Sequence, residues 1–256
     1  MSALVTLLGH RIGYSASPAM LNAAFAAMGV DARYELCDID AEELPGAVGE
    51  LRTANALGAN VTQPHKVEAL DLVDGLAPEV ERVGALNTIV RHGDRLVGHN
   101  TDVTAIAARL AALAPDAWQA VVLGSGGASR AVVIALADAG VQSVNVVTRF
   151  DWHRIPELLV RADLLVNATP IGTASDESPI PAELLRPDLR VLDLVYRPSP
   201  TSLVREARAS GGPAEDGAEV LLAQAAASFE LWTGRSAPLP AMRSALADAL
   251  GVAANG

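Results

Sequence analysis

A glycine-rich turn at residues 124–127 constrains the fold more than any other feature of the chain. The residues before it, 120–123, form a short apolar run that is typical of a strand buried on both faces of a sheet. The residues after it, 128–139, are rich in Ala and Val and favour a helix that ends at Gly140. Such a turn presents backbone N–H groups and the positive end of a helix dipole to a phosphate. It therefore predicts a dinucleotide site, although glycines between a strand and a helix also occur for purely structural reasons.

A second apolar run at residues 144–147 follows at the distance expected for a βαβ unit. This order predicts a Rossmann-like domain in which parallel strands alternate with helices. Between Arg149 and Leu164 the chain has too few residues for the usual helix and a further strand. We therefore expect a short helix or loop there, and a sheet that lacks one edge strand.

Composition and charge narrow the class of protein. The 256 residues are 50% hydrophobic and 19% charged, which indicates a globular chain with one large or two small domains. A net charge of −11 argues against a nucleic-acid partner. No apolar run is long enough to span a bilayer and the first residues carry no basic leader, so we expect neither membrane association nor a signal peptide. The single Cys37 cannot form an internal disulfide, which favours a cytoplasmic location and a core role for this thiol.

Two serines precede a predicted helix near the start of the chain. Residues 4–8 favour a buried strand, and a helix is expected from Pro18 to Gly29. Ser17 is suited to cap this helix, whereas Ser15 has no such duty. Two hydroxyls beside a helix N-terminus can also hold a carboxylate, so both interpretations of Ser17 stay open.

Lys66 ends the segment Gly-Ala-Asn-Val-Thr-Gln-Pro-His-Lys, residues 58–66. The segment favours a short strand that runs into a helix started by Pro64. One turn inside that helix, Lys66 is expected to point over the carboxyl edge of the sheet, although most lysines are solvated surface charges. His65 has no local metal partner, so we expect it to be structural or to lie outside the first shell of the site.

A predicted hairpin leads to a second polar cluster. Residues 85–90 and 95–99 favour two paired strands that flank a polar turn. The hairpin brings Asn87 near the Asn-Thr-Asp segment that opens the next helix at Asp102. Asp102 also suits a simple helix start, which is its structural alternative.

The remaining segments continue the α/β pattern. Strands are expected at residues 164–167 and 191–195, and a domain junction at residues 113–118. Two helices, at residues 219–233 and 238–250, are followed by a loose Ala-Asn-Gly tail.

Several of these segments together resemble the shikimate dehydrogenase family. They match in the family's order over nearly the whole chain, and the Asn-Val-Thr-x-Pro-x-Lys segment followed by Asn-Thr-Asp is the most specific. The matching segments are Ser15-Ala16-Ser17-Pro18, residues 58–66, Ala85-Leu86-Asn87-Thr88, Asn100-Thr101-Asp102, residues 124–130, Asn167-Ala168-Thr169, residues 193–196, Asp216-Gly217 and Gln224-Ala225.

The resemblance implies an α/β protein of two domains. A substrate-binding domain would comprise residues 1–101 and 217–256, and a Rossmann-like NADP-binding domain with a shortened sheet would comprise residues 102–216. The implied reaction is the reversible NADP-dependent reduction of 3-dehydroshikimate to shikimate, in aromatic amino acid biosynthesis through the chorismate pathway. The implied partner is a small anionic cyclic hydroxy acid, and the implied state is a cytoplasmic monomer or homodimer. No metal is needed, because the nicotinamide carries the difficult step.

The resemblance also assigns roles to residues. Lys66 and Asp102 would be the catalytic pair, since a partly desolvated lysine can donate and accept a proton near neutral pH. The substrate would be held by Ser15, Ser17, Thr62, Asn87, Tyr196 and Gln224. The cofactor would be held by Gly124, Ser125, Gly126, Gly127, Ala128, Thr148, Arg149, Asp151, Asn167, Thr169, Val195 and Gly217.

Three departures from the family pattern lie near the expected contact between nicotinamide and substrate. Residues 103–105 replace glycines, and Thr173 and Val220 stand where the family usually has Met. Quinate and aminoshikimate therefore remain alternative substrates, with NAD as the cofactor. A non-catalytic nicotinamide-binding regulatory protein is another alternative, which the presence of Lys66 and Asp102 disfavours. The Ser-x-Ser-Pro and Asn-Thr-Asp segments disfavour a methylene-folate dehydrogenase.

Cofactor preference depends on the residues that follow the second strand of the nucleotide fold. Arg149 and Arg154 favour the 2′-phosphate of NADP, whereas Asp151 favours the ribose hydroxyl of NAD. Two cations against one carboxylate, together with the habit of most of the family, favour NADP.

Overall fold

The protein consists of two compact units. The computed structural model describes residues 2–53 and 55–251. Unit 1 contains the chain up to Thr101 and again from Leu222, and unit 2 contains Asp102–Leu221. The second boundary lies five residues after the predicted one at residues 216/217. The reason is that the N–H of Gly217 donates to the carbonyl of Val195 (2.9 Å), which joins the first turn of the following helix to unit 2.

Unit 1 is built on a mixed sheet of six strands in the order β2-β1-β3-β5-β6-β4. The strands β1, β2 and β3 are parallel, β5 is antiparallel to both β3 and β6, and β4 is parallel to β6. Their bounds are β1 Ala3–Gly9, β2 Ala32–Asp38, β3 Ala56–Val61, β4 Gly75–Leu76, β5 Thr88–His92 and β6 Arg95–His99. The predicted hairpin is therefore present as β5 and β6.

Helices complete unit 1 and supply its core. They are α1 Ser17–Ala27, α2 Leu44–Thr53, α3 Pro78–Val83, the later part of α8 Ala218–Thr233, and α9 Leu239–Leu250. The rings of Phe25 on α1 and Phe229 on α8 lie 5.5 Å apart, and both are fully buried. The indole N–H of Trp232 donates to the Ile89 carbonyl (3.0 Å) and ties α8 to β5. The Ala-Asn-Gly tail lies outside the described residues.

Unit 2 is a parallel sheet of five strands in the order β11-β10-β9-β7-β8. Its strands are β7 Gln119–Leu123, β8 Ser143–Val147, β9 Leu164–Asn167, β10 Arg190–Asp193 and β11 Ala214–Glu215. Its helices are α4 Asp102–Leu113, α5 Gly127–Asp138, α6 Ile155–Leu159 and α7 Ser202–Ala209. The predicted α/β class with a Rossmann-like sheet is confirmed.

The predicted shortening of this sheet is also confirmed. In the described part of the chain, residues 150–163 form a 3₁₀ turn at Trp152–Arg154 and the short helix α6, and they contain no strand. Because β8 then has no outer neighbour, it is an edge of the sheet.

A buried carboxylate at the end of β10 organises the loops around it. Asp193 is 1% exposed and accepts hydrogen bonds from the Asn167 amide (2.9 Å), the Thr201 hydroxyl (2.8 Å) and the Val195 N–H (3.0 Å). Desolvation raises the pKa of Asp193 to about 6, against the opposing effect of these hydrogen bonds. Thr201 in turn caps α7 by accepting from the Val204 N–H.

Replacing Asp193 by Asn should change how stability depends on pH. A carboxyl group whose folded pKa is raised binds more protons when folded, so its contribution to stability falls as pH rises from about 4 to about 6. The free energy of unfolding of wild type minus that of Asp193→Asn should therefore fall by about 2 kcal/mol between about pH 4.5 and about pH 7. Urea unfolding at both pH values measures it, and a difference independent of pH would contradict this account.

Candidate active site

The carboxyl ends of β1, β2 and β3 meet in unit 1 and bring the predicted substrate loops together. The Thr62 N–H donates to the Leu8 carbonyl (2.9 Å), and the His10 N–H donates to the Gln63 carbonyl (3.2 Å). The Ile39 N–H donates to the Gly9 carbonyl (2.8 Å). A Cβ atom on Gly9 would lie 2.5 Å from the Cγ2 atom of Thr62, so the close approach of these two segments requires glycine.

The two serines have different local roles from those predicted. Ser17 is the first residue of α1 rather than its N-cap, a position that Ala16 occupies without a side-chain hydrogen bond. The prediction that Ser17 caps the helix is therefore wrong. The hydroxyl of Ser15 instead accepts from the Ser17 N–H (3.2 Å) and so holds the start of the helix. Ser17 is buried and Ser15 is half-buried, side by side at the N-terminus of α1.

Lys66 lies in a series of turns at residues 63–67, and the predicted helix from Pro64 is absent. The carbonyl of Lys66 accepts from the Leu86 N–H (2.9 Å), a partner from outside the segment, and Leu70 bonds back to Val67. A 3₁₀ helix begins only at Glu68. The turn thus binds Lys66 to the residue before Asn87, and the Lys66 side chain is half-buried.

The side chain of His65 connects this turn to the end of β2. Its side chain is fully buried, and its Nε2 atom lies 3.0 Å from the carbonyl of Ile39, which follows β2. Its Nδ1 atom has no hydrogen-bond partner among the described residues. A structural role for His65 was one of the two predicted, and these contacts fit it.

Asn87 lies in a buried hydrogen-bonded group just before β5. Its Oδ1 atom accepts from the Thr101 N–H (2.9 Å), and its Nδ2 atom donates to the Thr101 hydroxyl (2.9 Å). The Thr101 hydroxyl lies 3.4 Å from that of Ser228, which donates to the carbonyl of Gln224 (2.9 Å). The structure therefore brings together Asn87 and Gln224, two predicted substrate residues, through Thr101 and Ser228.

The group extends through Asn60, which donates to the Asn87 carbonyl and accepts from Tyr34, and sequence reasoning assigned no role to three of its residues. Asn60, Tyr34 and Ser228 are all buried and hydrogen-bonded to one another or to their neighbours. The available signal was a polar residue in an otherwise apolar strand, at Asn60, because a buried amide must find partners.

In unit 2 the glycine turn that is predicted to bind phosphate lies between β7 and α5. Gly124 has a φ of +111°, and a Cβ atom there would lie 2.8 Å from the carbonyl oxygen of Ala168. The Ser129 hydroxyl donates to the Gly124 carbonyl (2.8 Å) and closes the turn. Ser125 and Gly126 are exposed, and α5 begins directly after them. Free backbone N–H groups at the start of a 12-residue helix suit an anion.

The segment after β8 holds the residues predicted to choose the cofactor. The Thr148 hydroxyl donates to the Asp151 carboxylate (2.8 Å) and accepts from the Phe150 N–H (3.3 Å). The guanidinium of Arg149 lies 4.8 Å above the Phe150 ring, which is 76% exposed. Asp151 is therefore part of a local turn, and Arg149 rests on an exposed aromatic face.

Other predicted residues of unit 2 lie at or just after the carboxyl ends of β9 and β10, or at the start of α4. Asn167 is fully buried, and its Oδ1 atom accepts from both the N–H and the hydroxyl of Thr169 (3.1 and 2.7 Å). Val195 is buried, whereas Tyr196 is half-buried. Asp102 is 8% exposed and lies in the first turn of α4, where the helix dipole stabilises a carboxylate.

Two classes of site have no support in the part of the chain that the structure describes. Among residues 2–53 and 55–251 no three or more His, Cys, Asp or Glu side chains are grouped so that they could hold a metal ion. None of the helices described there has the length and apolar character needed to cross a membrane.

Known proteins are similar to this chain both in sequence and in fold. The chain matches the shikimate dehydrogenase substrate binding domain over residues 7–89 and the shikimate 5'-dehydrogenase C-terminal domain over residues 217–247. A shikimate dehydrogenase (NADP(+)) of Haloarcula marismortui is 39% identical, over 95% of this chain and 98% of its own length.

Solved structures agree. A shikimate 5-dehydrogenase from Thermus thermophilus, in complex with NADP(H) and shikimate, has a TM-score of 0.88 and 38% identity, over 97% of this chain and 100% of that one. A quinate dehydrogenase from Corynebacterium glutamicum, in complex with NAD, has a TM-score of 0.84 and 30% identity, over 96% of this chain and 99% of that one. With relatives of this identity along nearly its whole length, the chain belongs to the shikimate dehydrogenase family.

Proposed function

We propose that this protein catalyses the reversible NADP-dependent reduction of 3-dehydroshikimate to shikimate. The observation that carries the proposal is the Thermus thermophilus relative, which holds both NADP(H) and shikimate and matches this chain over 97% of its length. Unit 1 would be the substrate-binding domain and unit 2 the NADP-binding domain. The lone Cys37 fits a reducing cytoplasm, where such a biosynthetic enzyme would act.

The substrate half of the site would be formed by the loops that meet in unit 1. Ser15 and Ser17, beside the N-terminus of α1, would hold the substrate carboxylate. Thr62, Asn87 and Gln224 would bind ring hydroxyls, with Tyr196 from unit 2. Two sets of contacts support this assignment: those between the segments that follow β1 and β3, and those of Asn87 with Thr101.

Lys66 and Asp102 would carry the proton chemistry. Reducing a ketone requires a proton at the oxygen that becomes the alcohol, and oxidation requires that proton to leave. The ammonium of Lys66 would donate it in one direction and the neutral amine would accept it in the other, with the Asp102 carboxylate orienting the amine. Lys66 is the only lysine in the sequence, and the other 18 of the 19 Lys and Arg residues are arginine. An arginine cannot be deprotonated in this range, so Lys66 is the one side chain among these 19 that suits reversible proton transfer.

The glycine turn and the segment after β8 fit a dinucleotide. When bound, NADP would supply the hydride step. Gly124, Ser125, Gly126, Gly127 and Ala128 would hold its pyrophosphate, because their turn exposes N–H groups at the start of α5. Thr148, Arg149 and Asp151 would meet the adenosine ribose, with Asn167, Thr169, Val195 and Gly217 shaping the nicotinamide side. Thr148 already holds the Asp151 carboxylate, which leaves Arg149 better placed than Asp151 to select the cofactor.

Purified enzyme should show its highest kcat/KM with shikimate and NADP. The measurement follows reduced-cofactor absorbance with shikimate and quinate, each with NADP and NAD. Quinate with NAD as the best pair would support the alternative suggested by the Corynebacterium glutamicum relative. Cofactor binding without turnover of either acid would support a regulatory protein.

Lys66→Ala should lower kcat about 10²- to 10⁴-fold, the usual range for the loss of general acid–base catalysis, with little change in NADP binding. Lys66→Arg is the matched control, because it keeps the positive charge but not a proton that can leave. It should be nearly as slow as Lys66→Ala. A normal kcat in either variant at saturating shikimate would refute the assignment.

Arg149→Ala should raise KM for NADP about 10- to 100-fold and leave KM for NAD nearly unchanged. A charge-assisted hydrogen bond to the 2′-phosphate is worth about 1.5–3 kcal/mol, and only NADP carries that phosphate. Asp151→Ala is the paired control. If Asp151→Ala improves NADP use and weakens NAD use, the preference proposed here is reversed.

A further inference from the structure

The side chain of Asn60 in β3 has protein partners on both sides of its amide. Its Oδ1 atom accepts from the Tyr34 hydroxyl (2.9 Å). Its Nδ2 atom lies 3.0 Å from the Asn87 carbonyl, 3.0 Å from the Thr88 hydroxyl and 3.1 Å from the Ser228 hydroxyl. The Asn87 carbonyl can only accept, so the orientation of the Asn60 amide is fixed.

These contacts join three segments of the substrate half-site. Asn60 itself lies two residues before Thr62, in the strand that leads to Lys66. One of its partners, the Asn87 carbonyl, belongs to a predicted substrate residue. Another partner, Ser228, lies one helical turn from Gln224 on α8 and donates to the Gln224 carbonyl. One buried amide thus holds β3, the residue before β5 and helix α8 in a fixed arrangement.

The same group of contacts sets the orientation of the Asn87 side-chain amide. The Thr88 hydroxyl accepts from Asn60 and lies 3.0 Å from the Asn87 Oδ1 atom, to which it donates. The Thr101 N–H donates to the same oxygen (2.9 Å). Two donors on this oxygen fix the direction of the Asn87 amide.

Stability alone gives little reason for an asparagine at this position. Asn60 is 5% exposed, and replacing a buried hydrogen-bonded amide and its partners by apolar groups of the same shape can be nearly neutral for stability. We propose that Asn60, with Ser228 as its partner on α8, is a positioning residue that fixes Asn87 and Gln224 for the substrate while its own polar atoms bind protein. This inference rests on the proposed function, and it adds residues to which the family resemblance gave no role.

Ser228→Ala and Asn60→Asp test the inference. Ser228→Ala removes one partner, and Asn60→Asp places a carboxylate oxygen against the Asn87 carbonyl, where two acceptors repel. KM for shikimate should rise about 3- to 10-fold in Ser228→Ala and more in Asn60→Asp, with KM for NADP within about twofold of wild type. Thr233→Val is the matched control, since its hydroxyl makes the same bond to a carbonyl four residues earlier on α8 (2.8 Å). It should leave both KM values unchanged.

Amide hydrogen exchange supplies a second measurement that needs no catalysis. The N–H groups of Thr101 and Val61 both donate to Asn87, to its side chain and its carbonyl respectively. Both amides should exchange faster in Ser228→Ala than in wild type or Thr233→Val. If Asn60→Asp does not fold, Ser228→Ala alone decides.

Equal rises in both KM values, equal effects in Thr233→Val, or unchanged exchange at Thr101 and Val61 would each overturn the inference. Failure of the proposed function gives a different result. Wild-type enzyme would then not oxidise shikimate, while the exchange experiment would still report whether Asn60 and Ser228 position Asn87.

Discussion

A buried asparagine amide near the carboxyl end of a strand is the interaction on which the loops of each unit depend. Asn60 occupies this place in unit 1, and Asn167 occupies it at the end of β9 in unit 2. An amide removed from water must find partners, and here the partners include residues of neighbouring loops, Asn87 in unit 1 and Thr169 in unit 2. The cost of burying the amide is thus offset only when those loops adopt one arrangement. The loops proposed to bind the ligands gain a fixed geometry in this way, although loops are otherwise the more mobile part of a fold.

The charge of the chain makes this local order important for binding. A net charge of −11 opposes both an anionic acid and a dinucleotide. In the proposed function, attraction would therefore come from donors at short range, such as the N-termini of α1 and α5, the hydroxyls of Ser15 and Ser17, and a few cations. Donors of this kind act only over a few ångströms, so an error in their placement cannot be compensated by a long-range field.

The fold was largely predictable because it depends on local patterns. Apolar runs bounded by glycine marked the strands, and the short interval after Arg149 left no room for another strand. Two local predictions were wrong. Helix α1 begins at Ser17 itself, one residue earlier than predicted, and the conformation at Lys66 depends on a hydrogen bond from Leu86, a partner distant in sequence. Pro64 favours the start of a helix. The Lys66 carbonyl instead accepts a hydrogen bond from the Leu86 N–H, outside the predicted helix. The partners of Asn60 on β2 and α8 lie 26 and 168 residues away, beyond any local pattern.

The conflict between Arg149 and Asp151 shows how such a contact changes an interpretation. In the sequence, one residue favours a 2′-phosphate and the other favours a ribose hydroxyl, and the choice depends on counting charges and on the cofactor that most of the family uses. In the structure, the Asp151 carboxylate accepts from Thr148, and the Asp151 carbonyl accepts from the Arg154 N–H (2.9 Å), so Asp151 has a local role in closing the turn. To bind a ribose it would have to share or give up the Thr148 hydroxyl, at a cost of about 1 kcal/mol. Arg149, by contrast, would have only to keep or lose its cation–π contact with the exposed Phe150 ring, which costs less. If these residues meet the cofactor as proposed, the balance between NADP and NAD would depend on how firmly Thr148 holds the carboxylate, a property of the turn rather than of either charged residue alone.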